Sequence, residues 1–386
     1  MQITGFIPGR SGRWTLTLAN GMISNLKPAD GSNDGSDDLW IAPGFFDMQV
    51  NGFIGHIFNV EETSAEQIID SIKALWATGV VLVFPTLTTG SPERLVKTCH
   101  TFKKVMDQSP SAVRATFAGL HMEGPYISAE DGPRGAHDRA YVRPPSWDEF
   151  QRLQEICDGA IKLVTLAPEL PGAIDFITKA VKSGVVVGLG HCAPEPSDVA
   201  AAVGAGASFS THLGNGAHSQ LPRHPNYIWE QLAADELWAG LVPDGYHLPP
   251  ATLKCLIRAK GAHRCVLTTD VTGVAGLPPG KYFVQNRYVE LLPGGPVLLS
   301  GTPFLAGSAL HLNDGVANAM RFAQVSLADA IDMVTWNPAQ LFNMTQRTGR
   351  LHSGMEANLT LFRLNSAGDV LIDKSIVKGE VVYTAQ

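Results

Sequence analysis

No stretch of this sequence approaches the roughly 18 consecutive apolar residues that a membrane-spanning helix needs. No cluster of lysine and arginine stands out, and no two cysteines fall in a Cys-x-x-Cys spacing. The first absence argues against a spanning segment. The second leaves no electrostatic footprint for nucleic acid or an anionic membrane, in keeping with a formal charge of -7 and a pI near 5.9. As for the third, the five cysteines (Cys99, Cys157, Cys192, Cys255 and Cys265) are scattered and odd in number, which indicates neither a disulfide framework nor a thiolate zinc site. Reduced thiols in a cytoplasmic protein are expected. The opening "MQITGFIPGRSGRW" lacks a signal-peptide apolar region. No GxGxxG or Walker A stretch follows an apolar run, so the usual nucleotide cradles are missing as well.

What is present is an ordinary globular composition, 45% hydrophobic over 386 residues, enough for one large domain or two smaller ones. Residues 1–42 read as short strands, with "RWTLTLANGMISNL" alternating around Asn20-Gly21, a strong hairpin signal. Forty residues rarely make a core alone. The other end supplies partners in "ANLTLFRL" and "SIVKGEVVYT", so residues 1–42 and 344–386 are expected to form one small β unit beside a central domain of residues 43–343. That centre alternates strand candidates with helical segments. The strand candidates are "GFFDMQV", "GVVLVFPT", "ATFAGLH", "IKLVTL", "VVVGLG", "ASFSTH", "LWAGLVPD" and "RCVLTTD". Ser64 and Gln67 form a capping box before one helix, and Ser91-Pro92 opens another. Eight strand-helix units predict an α/β fold of the (β/α)8 barrel type, with an open doubly wound sheet as the alternative.

In a barrel the chemistry gathers at the C-terminal strand ends. In "PGFFDMQVNG", Asp47, Gln49 and Asn51 alternate with Met48 and Val50, which puts three polar groups on one face. Such a face is costly to bury unless it is hydrogen-bonded or binds something. Glu123 follows the third strand, His191 the fifth, His212 the sixth, His247 the seventh and Asp270 the eighth. Glu123, His191 and His212 make a two-histidine, one-carboxylate set that suits a catalytic zinc keeping one position for water. Asp270 is the expected base and acid for that water and the leaving group. An isolated histidine at a strand end is more often structural than a ligand, but the glycines around His191 and His212 permit close approach. His121 shares the face of Glu123 and is expected beside the ligands rather than among them. The remaining histidines are expected at the surface or in packing.

Together, "APGFFDMQVNG", "GLHMEGPY", "GHCAP", "THLGNGAH", "DGYH", "TTDVTGVAG", "LAGS" and "NPAQLF…GRLHSGMEANLTLF" resemble the N-acetylglucosamine-6-phosphate deacetylases of the amidohydrolase superfamily, in motif order and over nearly the whole chain. The resemblance implies a distorted (β/α)8 barrel plus a β-sandwich made from both termini. It implies hydrolysis of an acetamide on an amino-sugar phosphate, with Glu123, His191 and His212 as metal ligands and Asp270 as acid and base. His137 corresponds to a histidine near the substrate acetamide and His247 to another that contacts substrate. Asn215 and Gly216 correspond to the backbone segment at the sugar phosphate. Arg223 corresponds to a phosphate-binding arginine that reaches across from a neighbouring subunit, implying a homodimer.

Many superfamily members end the first strand in His-x-His and hold a further metal there, whereas here those positions are Gln49 and Asn51. Carboxamides replace imidazole poorly. One divalent metal per subunit is therefore expected, zinc first, with iron, manganese and cobalt also compatible. Gln49 and Asn51 then act as hydrogen-bonding neighbours and Asp47 as a structural residue. The loop "HLGNGAHSQLPRHPN" departs from the family, whose common members have an aromatic residue and "NAM" after the His-Leu pair. It either still cradles a 6-phosphate or serves another acylated sugar or small amide. A phosphosugar lyase or isomerase would want a lysine or second acid/base at a strand end, and the nearest lysines are Lys162 and Lys281. A metal-free binding relative would be expected to have lost a ligand.

Overall fold

The structure is a computed structural model that describes residues 1–29, 38–284, 287–302 and 304–386. Part of the expected N-terminal β unit, residues 30–37, thus lies outside the described residues. Eight parallel strands run in sequential order: Phe45–Val50, Val80–Thr88, Leu120–Glu123, Ile161–Leu166, Val186–Leu189, Phe209–Ser210, Trp238–Leu241 and Cys265–Leu267. A doubly wound sheet reverses its strand order part-way. This one does not, and the predicted barrel stands.

Alternation along the strands builds the two cores. Leu82 and Phe84 pack with Phe46, Met48, Leu163, Phe209, Trp238 and Val266 inside the barrel, while Val81 and Val83 join the outer layer under the helices. The outer helices begin where their sequence signals put them. Ser64 and Gln67 cap Ala65–Leu75 reciprocally, and Ser91 caps Pro92–Gln108 with proline at its first turn. The third strand starts later than "ATFAGLH" suggests. Ala115 and Thr116 instead end a short helix, Ser111–Thr116, where the Thr116 hydroxyl bonds back to the Ala112 carbonyl and accepts the Trp76 indole N–H.

The barrel closes imperfectly, and this matters for the site. Between the first and eighth strands, the Phe46 N–H donates to the Val334 carbonyl at 2.8 Å and the Leu267 N–H to the Met333 carbonyl at 3.1 Å. A segment from the end of helix Leu327–Asp332 is thus wedged into the seam, and direct pairing returns only further up, at Val50 and Val271.

Strands from both termini pair as the sequence predicts. The sheet order is Glu380–Thr384, Val370–Val377, Leu359–Leu364, Trp40–Pro43, Gln2–Phe6, Arg13–Ala19 and Met22–Pro28. Asn20 and Gly21 form the expected hairpin with φ of 51° and 76°. Not foreseen is a four-stranded antiparallel sheet, Gly280–Val284, Arg287–Leu291, Pro296–Leu299 and Leu305–Ser308, inserted after the eighth strand. It leans over the barrel mouth: the Arg287 guanidinium donates to the Ala136 carbonyl and the Tyr246 hydroxyl to the Gly294 carbonyl.

Candidate active site

Glu123 ends the third strand, and His191 and His212 follow the fifth and sixth by two residues. Strand pairing alone therefore carries all three to one point, and their ligand atoms lie within 4.8 Å of one another, all buried. Glu123 Oε1 is 3.0 Å from His212 Nε2 and 3.4 Å from His191 Nε2, and the two Nε2 atoms are 3.0 Å apart. A tetrahedral ion with ligand bonds of about 2.0–2.1 Å requires ligand-to-ligand edges of roughly 3.3 Å. The triangle fits. The tautomer fits too: His191 Nδ1 is 2.9 Å from the Pro133 carbonyl, which can only accept, so Nδ1 carries the proton and Nε2 presents its lone pair. Burial alone would raise the Glu123 carboxyl, but hydrogen bonds and charge from the two histidines hold it well below the usual carboxylate range.

His191, His212 and Asp270 have φ of 51°, 32° and 51°, a left-handed backbone that non-glycine residues rarely adopt. Each costs about 1–3 kcal/mol and persists only where the surroundings impose it. Finding it at three strand ends, on three of the residues expected to act, marks the same spot independently of the side chains.

Asp270 Oδ1 accepts from Asn51 Nδ2 at 2.8 Å and from Gln49 Nε2 at 3.1 Å, and Gln49 Nε2 also reaches Glu123 Oε1 at 2.7 Å. The two carboxamides are thus neighbours that hold one oxygen of Asp270 and leave the other free. Burial first, then the Glu123 charge, pushes the Asp270 carboxyl up to about 6, against the pull of His212 and His247. His247 Nε2 lies 4.0 Å from Asp270 Oδ2, with its Nδ1–H tied to Asp244 Oδ2 at 2.6 Å. His121 turns to Thr165 at 2.7 Å, beside the Glu123, His191, His212 cluster.

His137 is brought in from a loop, its Nε2 3.2 Å from His191 Nε2 and its Nδ1 2.8 Å from the Thr89 hydroxyl. Asn215 and Gly216 lie beside His191; a Cβ on Gly216 would stand 2.8 Å from His191 Nδ1, so only glycine fits. Asn215 Nδ2 is buried with no hydrogen-bond partner among the described residues. His218, expected as a surface or packing residue, bonds Glu130 and Tyr227. Arg223 is not brought to this cluster; it is exposed, and its carbonyl accepts a hydrogen bond from Asn226 Nδ2 at 3.4 Å. Sequence reasoning missed Asp244, Thr89 and the Pro133 carbonyl, which orient three of the histidines. Only Asp244 had a local signal, its i, i+3 spacing to His247 in "DGYH".

The amidohydrolase family model matches residues 40–382. The chain belongs to the amidohydrolase family. The human N-acetylglucosamine-6-phosphate deacetylase is 32% identical over 362 residues, 89% of this chain and 84% of that one. The Vibrio furnissii enzyme of the same name is 29% identical over 373 residues, 95% and 90% of the two chains. The crystal structure of the Pasteurella multocida N-acetylglucosamine-6-phosphate deacetylase superposes with a TM-score of 0.86 at 25% identity, over 99% of each chain.

Amidohydrolases are generally metal-dependent hydrolases, and the Glu123, His191, His212 cluster is where a metal fits this amidohydrolase. Lys281, one of the two lysines named from the sequence, is exposed in strand Gly280–Val284 of the inserted sheet. Lys260, buried, spends its ammonium on the carbonyls of Gln231, Leu232 and Ala234, and Lys162 bonds Gly159 at the start of its strand, away from the mouth. A cavity of about 490 Å³ between Trp238, Arg264, Trp336 and Arg350 opens at the opposite, N-terminal end of the barrel. That face of a barrel serves stability rather than catalysis. No helix among the described residues is long and apolar enough to cross a membrane.

Proposed function

We propose that this chain hydrolyses the acetamide of N-acetylglucosamine 6-phosphate to glucosamine 6-phosphate and acetate. The observation that carries the reading is the Glu123, His191, His212 triangle with the free oxygen of Asp270 beside it, in a chain whose relatives bear that activity in their names. When bound, a divalent ion, zinc by the ligand set, supplies an activated water at neutral pH and polarises the amide carbonyl. The rest falls to the chain's own side chains. Asp270 takes the proton from the attacking water on Oδ2, because Oδ1 is occupied by Gln49 and Asn51, and passes it to the departing amine nitrogen. Burial, then the neighbouring His191, keeps the His137 imidazole neutral, so it meets the carbonyl without adding charge. His247, locked by Asp244, faces the sugar.

For the phosphate, the unsatisfied Nδ2 of Asn215 and the backbone at Gly216 offer donors. Arg223, exposed and without a carboxylate partner among the described residues, is free to serve a neighbouring subunit of a homodimer. The unusual polarity of the loop argues less for a different substrate than it does in the sequence, since His218 is engaged by Glu130 and Tyr227. The deciding comparison is kcat/KM for acetate release from N-acetylglucosamine with and without its 6-phosphate. The phosphate is expected to raise it at least about tenfold, roughly 1.4 kcal/mol of transition-state binding. A smaller gain would leave another acylated sugar or amide as the substrate.

The carboxamides also make a stoichiometry prediction. Gln49 and Asn51 stand where a second ion would need imidazoles, and both already donate to Asp270. Metal analysis of the purified protein is expected to give about one ion per chain. A count near two would refute the assignment of these residues as hydrogen-bonding neighbours.

A further inference from the structure

Asp47 is fully buried and bonds none of Glu123, His191 and His212, yet its carboxylate gathers four donors. Oδ1 accepts the Thr268 hydroxyl at 2.7 Å, the Thr269 N–H at 3.2 Å and the Gln49 N–H at 3.3 Å; Oδ2 accepts the Thr269 hydroxyl at 2.6 Å. An acceptor-only group suits that convergence. Three of the donors belong to the two residues immediately before Asp270, across the seam where the barrel lacks a continuous ladder. The Thr269 hydroxyl does more than meet Asp47, because its oxygen also accepts the Val271 N–H at 3.1 Å, so the pair brackets Asp270 from both sides. Ser308 completes the frame, its hydroxyl on the Thr269 carbonyl and its N–H on the Asp270 carbonyl. Within this frame Asp270 holds its left-handed φ of 51° and directs Oδ1 at Asn51 and Gln49.

We propose that Asp47, acting through Thr269, is a positioning residue for the catalytic Asp270: it replaces the missing strand pairing at the seam and sets where the free carboxylate oxygen stands. The inference rests on the deacetylase reading for its kinetic consequence only. A general acid/base displaced by about 1 Å loses on the order of 10²-fold in rate, whereas ground-state binding by Asn215, Gly216 and His247 is untouched. The loss therefore falls on kcat.

The test uses metal-loaded enzyme and the variants Thr269→Val, Thr269→Ser and Asp47→Asn, with metal content, KM and kcat measured on N-acetylglucosamine 6-phosphate. Thr269→Val and Asp47→Asn are expected to lower kcat about 10- to 100-fold with KM within about twofold and metal retained. Thr269→Ser, which restores the hydroxyl, is expected to stay within about threefold of wild type. If Asp47→Asn fails to fold, the valine and serine pair still decides. Rates within about twofold of wild type in Thr269→Val, or lost only in proportion to metal, overturn the proposal. If the wild-type protein releases no acetate, the deacetylase reading fails, and the crystal structure of Thr269→Val decides the positioning claim alone. Displacement of the Asp270 carboxylate from Asn51 and Gln49 upholds it, and an unmoved carboxylate overturns it.

Discussion

Asp270→Asn is expected to lower kcat for acetate release by about 10²- to 10⁴-fold while the metal stays bound. The amide can neither take the proton from the attacking water nor deliver it to the leaving nitrogen. The substitution is a clean one in this site. Both contacts of Asp270 Oδ1 are N–H donors, from Asn51 at 2.8 Å and Gln49 at 3.1 Å, so an asparagine would turn its carbonyl oxygen toward them and keep the geometry. Asp270 is not one of the three clustered ligands, so metal content should not change. Retained turnover in the variant, with metal at wild-type level, would remove Asp270 from the mechanism.

The same residue sets the acid side of the pH profile. Burial and the Glu123 charge raise its carboxyl to about 6, and a bound cation moves it lower. The base must be ionised to act, so kcat/KM is expected to fall as pH drops through a value no higher than about 6, and the residual rate of Asp270→Asn should lack that limb. A wild-type acid limb well above 7 would assign it to another group.

How far the sequence reveals this site depends on whether a residue's partner is close in the chain. Asp47, Gln49 and Asn51 announce themselves because period-two alternation is local, and all three do meet the end of the eighth strand. Glu123, His191 and His212 are legible only after a barrel is assumed, since strand pairing across nearly ninety residues makes them neighbours. Thr89 and the Pro133 carbonyl were not legible at all: each acts through one bond to a histidine about fifty residues away, and neither residue type signals chemistry. The wedge at Met333 and Val334 is hidden for a related reason, because the bonds that place it in the seam are made by backbone groups, which carry no residue-type signal. The inserted sheet was missed although its sequence carries strand and turn signals in "RYVELLPGGPVLL"; its small apolar set, Val284, Val289, Leu291 and Val297, forms a separate cluster with Val274 rather than part of the barrel core. It was also invisible that Asp47, expected as structural, would bond the two residues just before Asp270.

Glu123→Gln is expected to weaken metal binding by more than about 100-fold and to silence the enzyme at stoichiometric metal. Removing a mere outer partner of a metal ligand costs about 10- to 100-fold in affinity, and Glu123, the cluster's one carboxylate, is proposed as a ligand itself. Glutamine keeps the size and an oxygen but loses the charge that holds two imidazole nitrogens 3.0 Å apart. The oxygen that faces the two imidazoles, Oε1, is also the one that accepts from Gln49 Nε2 at 2.7 Å, so the glutamine carbonyl can keep both contacts and the charge is what is lost. Two measurements separate this from simple misfolding. Activity should return as metal is added in excess, which a misfolded chain would not allow. The melting temperature should rise with added metal in the wild type, by an amount corresponding to about 4 kcal/mol at a thousandfold excess over Kd, and should respond little in the variant at the same concentration. A variant that binds metal as tightly as wild type would show that His191 and His212 suffice, and the carboxylate would then be needed for proton transfer rather than for holding the ion.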